Sequence, residues 1–159
     1  MNAKFALVTG GAGFIGSHLV DRLIIEGYKV RVVDNLSSGK MENLKKHLES
    51  STIDLVIGDL KNVRTSLKVV DGIDVIFHFA ANPEVRVSTT NPEIHFKDNV
   101  VATFNLLEAM RKKSVKELVF ASSSSVYGEP EEIPVKEDAP TKPVSVYGAC
   151  KAACENLIY

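Results

Sequence analysis

Tryptophan is absent from the 159 residues, cysteine occurs twice, and lysine plus arginine (19) nearly balance aspartate plus glutamate (20). Each shortage excludes something. A net charge of −1 lacks the basic footprint by which proteins grip nucleic-acid phosphates, so no nucleic-acid partner is expected. The short basic runs Lys45-Lys46 and Arg111-Lys112-Lys113 read as solvated helix faces. Cys150 and Cys154 stand four apart, which is neither the CxxC spacing of a metal site nor a disulfide framework. No metal is expected, and a reducing compartment suits the pair. No run approaches the ~18 apolar residues of a membrane span. Gly10, Gly11 and Gly13 also interrupt the apolar start from Phe5 to Ile15, which spoils it as a signal-peptide core. A cytoplasmic protein with no membrane partner is the expectation.

What is present is an average globular composition, 45% hydrophobic and 25% charged, at a length suited to one domain over residues 1–159. Lys4–Thr9 is a short apolar run, and Phe14–Glu26 then shows helical spacing through Ile15, Leu19, Leu23 and Ile24 before Gly27 stops it. Val30–Val33, Ile53–Ile57, Val75–Phe79 and Leu118–Ala121 are further strand-like runs, separated by helix-length segments such as Asn99–Lys113. Strands alternating with helices predict an α/β fold, a doubly wound parallel sheet covered on both faces. Gly128–Val144 holds four of the six prolines, so it is expected as a long loop forming the wall or lid of a site. Ser145–Tyr159 returns to helical composition without a Gly or Pro to mark its end, and the sheet is expected to be incomplete at its C-terminal end.

Thr9-Gly-Gly-Ala-Gly-Phe-Ile-Gly16 satisfies both Gly11-x-Gly13-x-x-Gly16 and Gly10-x-x-Gly13-x-x-Gly16. Between a strand and an amphipathic helix, either spacing gives a turn whose backbone N–H groups can reach a pyrophosphate, as in Rossmann-type dinucleotide sites. Asp34 follows Gly16 by 18 residues at the end of the second strand, placed to accept hydrogen bonds from an adenosine ribose and to repel a 2′-phosphate. No Gly-Lys-Ser/Thr follows the glycines, which excludes a nucleoside-triphosphate P-loop. Arg31 precedes Asp34 and no arginine follows closely, which favours NAD over NADP. The competing reading is a glycine turn that serves only close strand–helix packing.

Tyr147 and Lys151 stand at i and i+4, neighbours on one helical face. A phenol is a weak base near neutral pH, and a nearby cation favours its phenolate, so the pair makes an acid/base. Ser-Val-Tyr-Gly occurs twice, at 125–128 and 145–148. Tyr127 has Glu131 at its i+4 position, which disfavours phenolate, so Tyr147 is chosen and Tyr127 is assigned to packing or site lining. Ser122–Ser125 lies just past the fifth strand, where open α/β sheets hold ligands, and a serine hydroxyl there can hydrogen-bond a substrate oxygen.

These residues together resemble the extended short-chain dehydrogenase/reductases, specifically the NAD-dependent sugar epimerase/dehydratase family. The resemblance rests on Thr9–Gly16, Asp34-Asn-Leu-Ser-Ser-Gly39, Gly58-Asp-Leu60, His78-Phe-Ala-Ala81, Asn99, Ser122–Gly128 and Tyr147-x-x-x-Lys151. It implies a glycine turn of Gly10, Gly13, Phe14, Ile15 and Gly16 for the pyrophosphate of NAD. Asp34, Asn35, Ser38 and Gly39 would serve the adenosine ribose side, Asp59 and Leu60 the adenine side, and Phe79, Ala80 and Ala81 the middle of the cofactor. It implies Ser123 and Tyr147 as catalytic groups, Lys151 as the partner of Tyr147 that also holds the nicotinamide ribose, and Asn99 as support. The implied activity is 4-epimerisation of a UDP-sugar of the UDP-glucose/UDP-galactose type through transient oxidation at C4, with a homodimer as the assembly. A UDP-glucuronate epimerase or decarboxylase is the neighbouring alternative, and a non-catalytic NAD-binding domain the alternative of another class. Ser124-Ser125 stands where dehydratases of this family carry Asp-Glu, which disfavours sugar 4,6-dehydration, and Pro83 replaces a lysine common in galactose epimerases. Family members are roughly twice this length, so a substrate-binding domain is expected to be absent, and NAD binding with little turnover is expected of these residues alone.

Overall fold

Short β-branched runs alternate with amphipathic segments, and the chain folds accordingly. The structure, a computed structural model, describes residues 3–159. Strands β1 (Phe5–Thr9), β2 (Lys29–Asp34), β3 (Ile53–Ile57), β4 (Val75–His78) and β5 (Glu117–Phe120) form one parallel sheet in the order β3-β2-β1-β4-β5. Parallel neighbours need crossovers. Between β1 and β2 the crossover is α1 (Phe14–Ile25), between β2 and β3 it is a 3-10 turn (Met41–Leu44) with α2 (Lys45–Glu49), and between β3 and β4 it is α3 (Val63–Val69). The strands lie within a residue or so of the runs expected from sequence. The chain gathers into two compact units: one runs up to Ala80 and resumes over Asn105–Ala121, the other comprises Ala81–Phe104 and Ser122–Tyr159.

The first unit contains the sheet. Ala6, Val8, Val30, Val32 and Val75 pack on one face with Val20 and Leu23 of α1 and with Leu44. Side chains alternate across a strand, and Leu7, Val33 and Ile76, on the opposite face, are also buried, so the sheet is covered on both faces. That is why β1 and β2 read as continuous apolar runs rather than alternating ones. Arg31 is the exception within β2. Its Nε lies 2.6 Å from Asp54 on β3, its Nη1 donates to the carbonyls of Val69 (3.0 Å) and Asp71 (2.8 Å), and its guanidinium sits over the Phe5 ring. The arginine is thereby committed to joining β2, β3 and the end of α3.

The second unit is built around α6 (Val146–Ile158), which packs against a 3-10 turn (Val85–Thr89), α4 (Pro92–His95), a π-helical turn (Phe96–Val101) and a second 3-10 turn (Ser124–Tyr127). The Ser145 hydroxyl caps α6 by accepting from the Gly148 amide at 3.0 Å. The sequence predicts one helix over Asn99–Lys113, whereas α5 proper covers Ala102–Lys113 and the π turn and α4 precede it. Pro92 explains the earlier start, because the first helical position is where its missing N–H costs nothing. Residues 128–144 form neither helix nor strand, as their prolines require. Tyr127 closes a four-residue 3-10 turn instead of riding on a helix, so Glu131 is not its one-turn neighbour, although both line a cleft of about 380 Å³.

The tightest backbone demand in the first unit is at Gly16. A Cβ there would lie 2.2 Å from the Gly10 carbonyl oxygen and 2.8 Å from the Gly11 Cα, both backbone atoms that cannot step aside. Gly16→Ala is therefore expected to destabilise the fold by about 1–3 kcal/mol or more, read as a lower urea midpoint. An unchanged midpoint would contradict this packing.

Candidate functional site

In the first unit, the strand order reverses at β1, which lies between β2 and β4, and open α/β sheets place ligands at the carboxyl ends beside such a reversal. Thr9, the last residue of β1, accepts hydrogen bonds at Oγ1 from the amides of Phe79 and Ala80 (both 3.1 Å) and meets His78 Nδ1 at 2.7 Å. It thus ties the segment after β4 to the glycine turn. Gly10 adopts φ +67°, and a Cβ there would lie 2.8 Å from the Ala80 amide nitrogen, so only glycine lets the two segments approach. Gly13 precedes α1 in extended conformation, no side chain caps the helix, and its first turn carries no acid. The first amides and the positive helix end are thus open to an anion, with the side chains of Phe14 and Ile15 largely exposed beside them.

Asp34 ends β2 with a buried carboxylate whose Oδ2 accepts from the Ala12 amide (2.9 Å) and Oδ1 from the Leu36 amide (2.8 Å). A Cβ on Gly39 would come within 2.9 Å of both oxygens, so glycine keeps that carboxylate open on the side of Gly39. Its remaining lone pairs can accept from sugar hydroxyls, and its charge would oppose a phosphate. Asn35 Nδ2 donates to Asp59 Oδ2 at 3.2 Å, and Ser38 is exposed in the same loop. Partial burial favours the protonated form of Asp59, but the Lys61 amide, Asn35 and the Lys61 ammonium outweigh it and hold the carboxyl below its ordinary pKa. Leu60 is buried, its carbonyl accepting from Asn105 Nδ2 (3.0 Å) and Ser66 Oγ (3.1 Å). Gly10, Gly13, Phe14, Ile15, Gly16, Asp34, Asn35, Ser38, Gly39, Asp59, Leu60, Phe79 and Ala80 thus all lie at the carboxyl ends of β1–β4, in the loops there, at the end of β2 or in the first turn of α1.

The second unit holds Ala81, Asn99, Ser123, Tyr147 and Lys151. Tyr147 and Lys151 lie one turn apart on α6, and both are buried. Burial lowers the Lys151 ammonium pKa below its ordinary value, with Cys154 and Glu155 acting in the opposite direction. The thiols of Cys150 and Cys154 are pushed up by burial, so they stay protonated and unreactive. Ser123 caps the turn that follows it: its Oγ accepts from the amide (3.2 Å) and the hydroxyl (2.9 Å) of Ser125, which leaves its own proton to donate. Asn99 is buried in the π turn, where its Oδ1 accepts from the Asn82 amide (3.1 Å) and its carbonyl from Thr103 Oγ1 (2.6 Å). Three supporting contacts escape the sequence reading. Ser88 Oγ accepts from the Tyr147 amide (3.3 Å), Ser122 donates to Glu155 (2.5 Å), and the His95 ring stands edge-on to that of Tyr147. Of Ser88, Ser122 and His95, only Ser122 lies in a run singled out from the sequence, Ser122–Ser125.

Comparison with known proteins identifies the family. The model of the GDP-mannose 4,6 dehydratase family matches residues 7–159. A UDP-glucose 4-epimerase of Streptomyces lividans is 40% identical over 161 residues, which cover 99% of this chain and 47% of the relative. The crystal structure of a UDP-galactose 4-epimerase is similar at TM-score 0.87 and 56% identity, over 96% of this chain and 50% of that one. The Thermus thermophilus UDP-glucose 4-epimerase, solved in complex with NAD, is similar at TM-score 0.87 and 39% identity, over 97% of this chain and 49% of that one. The chain spans about half the length of these relatives. With the glycine turn, the acid after β2 and the Tyr147–Lys151 pair in place, the match over nearly its whole length shows that the chain belongs to the GDP-mannose 4,6 dehydratase family, within the extended short-chain dehydrogenase/reductases.

Proposed function

We propose that this chain binds NAD and carries the acid–base group of a cytoplasmic nucleotide-sugar 4-epimerase acting on UDP-glucose and UDP-galactose. The observation that carries the reading is the burial of a phenol and an ammonium one helical turn apart on α6. The named activities of the similar epimerases support the sugar class. NAD fits the donor set of the first unit: an uncapped helix start suits its pyrophosphate and the buried Asp34 carboxylate its ribose hydroxyls. When bound, NAD supplies a hydride acceptor and donor for reversible oxidation at C4 of the sugar.

The chain's own residues then handle the proton. Tyr147 takes it from the 4-hydroxyl and returns it, with the Lys151 side chain buried one helical turn away on α6. Ser123, with its acceptor capacity engaged by Ser125, donates to the same sugar oxygen. Serines at positions 124 and 125 provide no carboxyl for the acid–base step of a dehydration, which favours epimerisation over dehydration. Homodimerisation is part of the proposal, with Phe96 (53% exposed) and Phe104 (51%) as the apolar surface it would cover.

Calorimetry is expected to show NAD bound more tightly than NADP, with Asp34→Ala weakening NAD and narrowing the preference; tighter NADP binding would refute the role of Asp34. Arg31, committed to Asp54 and two carbonyls, offers no rescue for a 2′-phosphate. In a complete enzyme that carries these residues, Tyr147→Phe is expected to lower the rate of conversion of UDP-galactose to UDP-glucose by ~10²–10⁴-fold while NAD stays bound. Equal rates would remove Tyr147 from the reaction, and NAD binding without any conversion would favour a non-catalytic binding domain. Light scattering is expected to give the mass of a dimer that Phe104→Glu dissociates, and a monomeric wild type would end that part of the proposal.

A further inference from the structure

Asp34 at the end of β2 and the loop that follows it, with Asn35, Ser38 and Gly39, close at both ends on one residue of the glycine turn. The Ala12 amide donates to Asp34 Oδ2 at 2.9 Å, while the Ala12 carbonyl accepts from the Lys40 amide at 3.0 Å and from Asn43 Nδ2 at 2.8 Å. A carbonyl oxygen only accepts, so Asn43 faces it with the amide nitrogen. Inside the loop Leu36 takes the left-handed conformation, φ +57°, which a residue with a side chain disfavours, and its amide donates to Asp34 Oδ1 at 2.8 Å. A loop that holds such a residue persists only where its surroundings fix it. The 3-10 turn that carries Asn43 is itself anchored. Its next residue, Leu44, is fully buried with Val20 and Leu23 of α1, and α2 is tied to α1 through Asp21, which meets His47 Nε2 at 2.5 Å and Lys46 Nζ at 2.8 Å. Asn43 is exposed, so its side chain fills no core; what it meets is the Ala12 carbonyl.

We propose that Asn43 is a positioning residue for the adenosine end of the cofactor site: by gripping the Ala12 carbonyl it keeps the loop over 34–43 closed on the glycine turn, and so holds the Asp34 carboxylate where it reads a ribose and opposes a 2′-phosphate. The inference rests on the reading of the first unit as an NAD site. Asn43 acts through Ala12 and not on the cofactor itself. The contacts run from Asn43 Nδ2 to the Ala12 carbonyl, from the Ala12 amide to Asp34 Oδ2, and from Asp34 Oδ1 to the Leu36 amide. The closed loop has no slack on the side of Gly39, where a Cβ would lie 2.8 Å from Asp34 Oδ1 and 2.9 Å from the Ala12 Cβ. Gly13 and the first amides of α1 follow Ala12 directly, so a loop that opens there shifts the carboxylate relative to the pyrophosphate end of the site. Loss of the Asn43 donor therefore changes which cofactor is preferred as well as how tightly it is held.

Calorimetric titration of the chain with NAD and with NADP tests this on N43A and N43D. Loss of one hydrogen bond of this kind is expected to weaken NAD by about 3–10-fold in N43A and to narrow the preference for NAD over NADP. N43D keeps the size of the side chain but sets a carboxylate oxygen against the Ala12 carbonyl, and it is expected to weaken NAD at least as much. A space-filling role alone predicts that N43D binds NAD like wild type, and that result overturns the proposal. N43A that binds NAD as tightly as wild type, or that weakens both cofactors in an unchanged ratio, overturns it too. A second readout needs no cofactor. In hydrogen exchange of the free chain, the Ala12 and Leu36 amides, both donors to Asp34, are expected to exchange about 3–10-fold faster in N43A, while sheet amides such as those of Leu7 and Ile76 keep wild-type rates. Acceleration spread evenly over the sheet, or none at Ala12 and Leu36, overturns the proposal. Wild type that binds no NAD ends the NAD reading and this inference with it, whereas wild type that binds beside an N43A that binds equally well ends this inference alone.

Discussion

The approach of Gly16 to the Gly10 carbonyl, too close for any Cβ, governs the first unit. It lets the chain leave β1, turn within a few residues and enter α1 against the sheet. Two consequences follow from that turn. The first amides of α1 point outward without a side-chain cap, so they are free to meet an anion. The same turn lets Ala12 donate its amide to Asp34, and the carboxylate that would read a ribose is thereby fixed from the glycine loop itself. Thr9 repeats the device on the other side by holding the amides of Phe79 and Ala80.

The second unit is governed by a different constraint, the burial of polar groups. Lys151, Asn99 and His95 all lie inside it, and polar groups out of water are costly unless something compensates. Part of the compensation is visible: Asn99 accepts through Oδ1 and its carbonyl, and Ser145 caps α6. Part is not, at the His95 ring and the Asn99 amide, and the uncompensated groups lie beside Tyr147 or within a turn of its neighbour. Local stability given up next to a candidate acid–base group is the pattern expected of a functional site.

Much of this was legible in the chain itself, for identifiable reasons. The strands follow from β-branched runs whose two faces are both covered, and the crossovers from helical spacing between them. The glycine spacing and Asp34 were readable because each position answers a backbone demand or a charge demand that few residue types meet. The Tyr147–Lys151 pair was readable because helical periodicity alone makes residues four apart neighbours. That argument failed at Tyr127, since it presumes a helix and the chain there makes only a short 3-10 turn. The extent of the helix around Asn99 was misjudged for a related reason, because a π turn has no distinct sequence period.

Sequence by itself thus determined the parallel α/β fold, the glycine turn, the acid after β2 and the phenol–ammonium pair, since each is a matter of spacing along the chain. Tertiary structure alone decided that Arg31 is committed to Asp54 and the end of α3, that Ser122 reaches Glu155, and that Ser88 and His95 attend Tyr147. Those partners lie between 23 and 59 residues apart wherever a hydrogen bond joins them. No periodicity spans such separations; only packing of distant elements brings the groups within hydrogen-bonding or ring-contact distance.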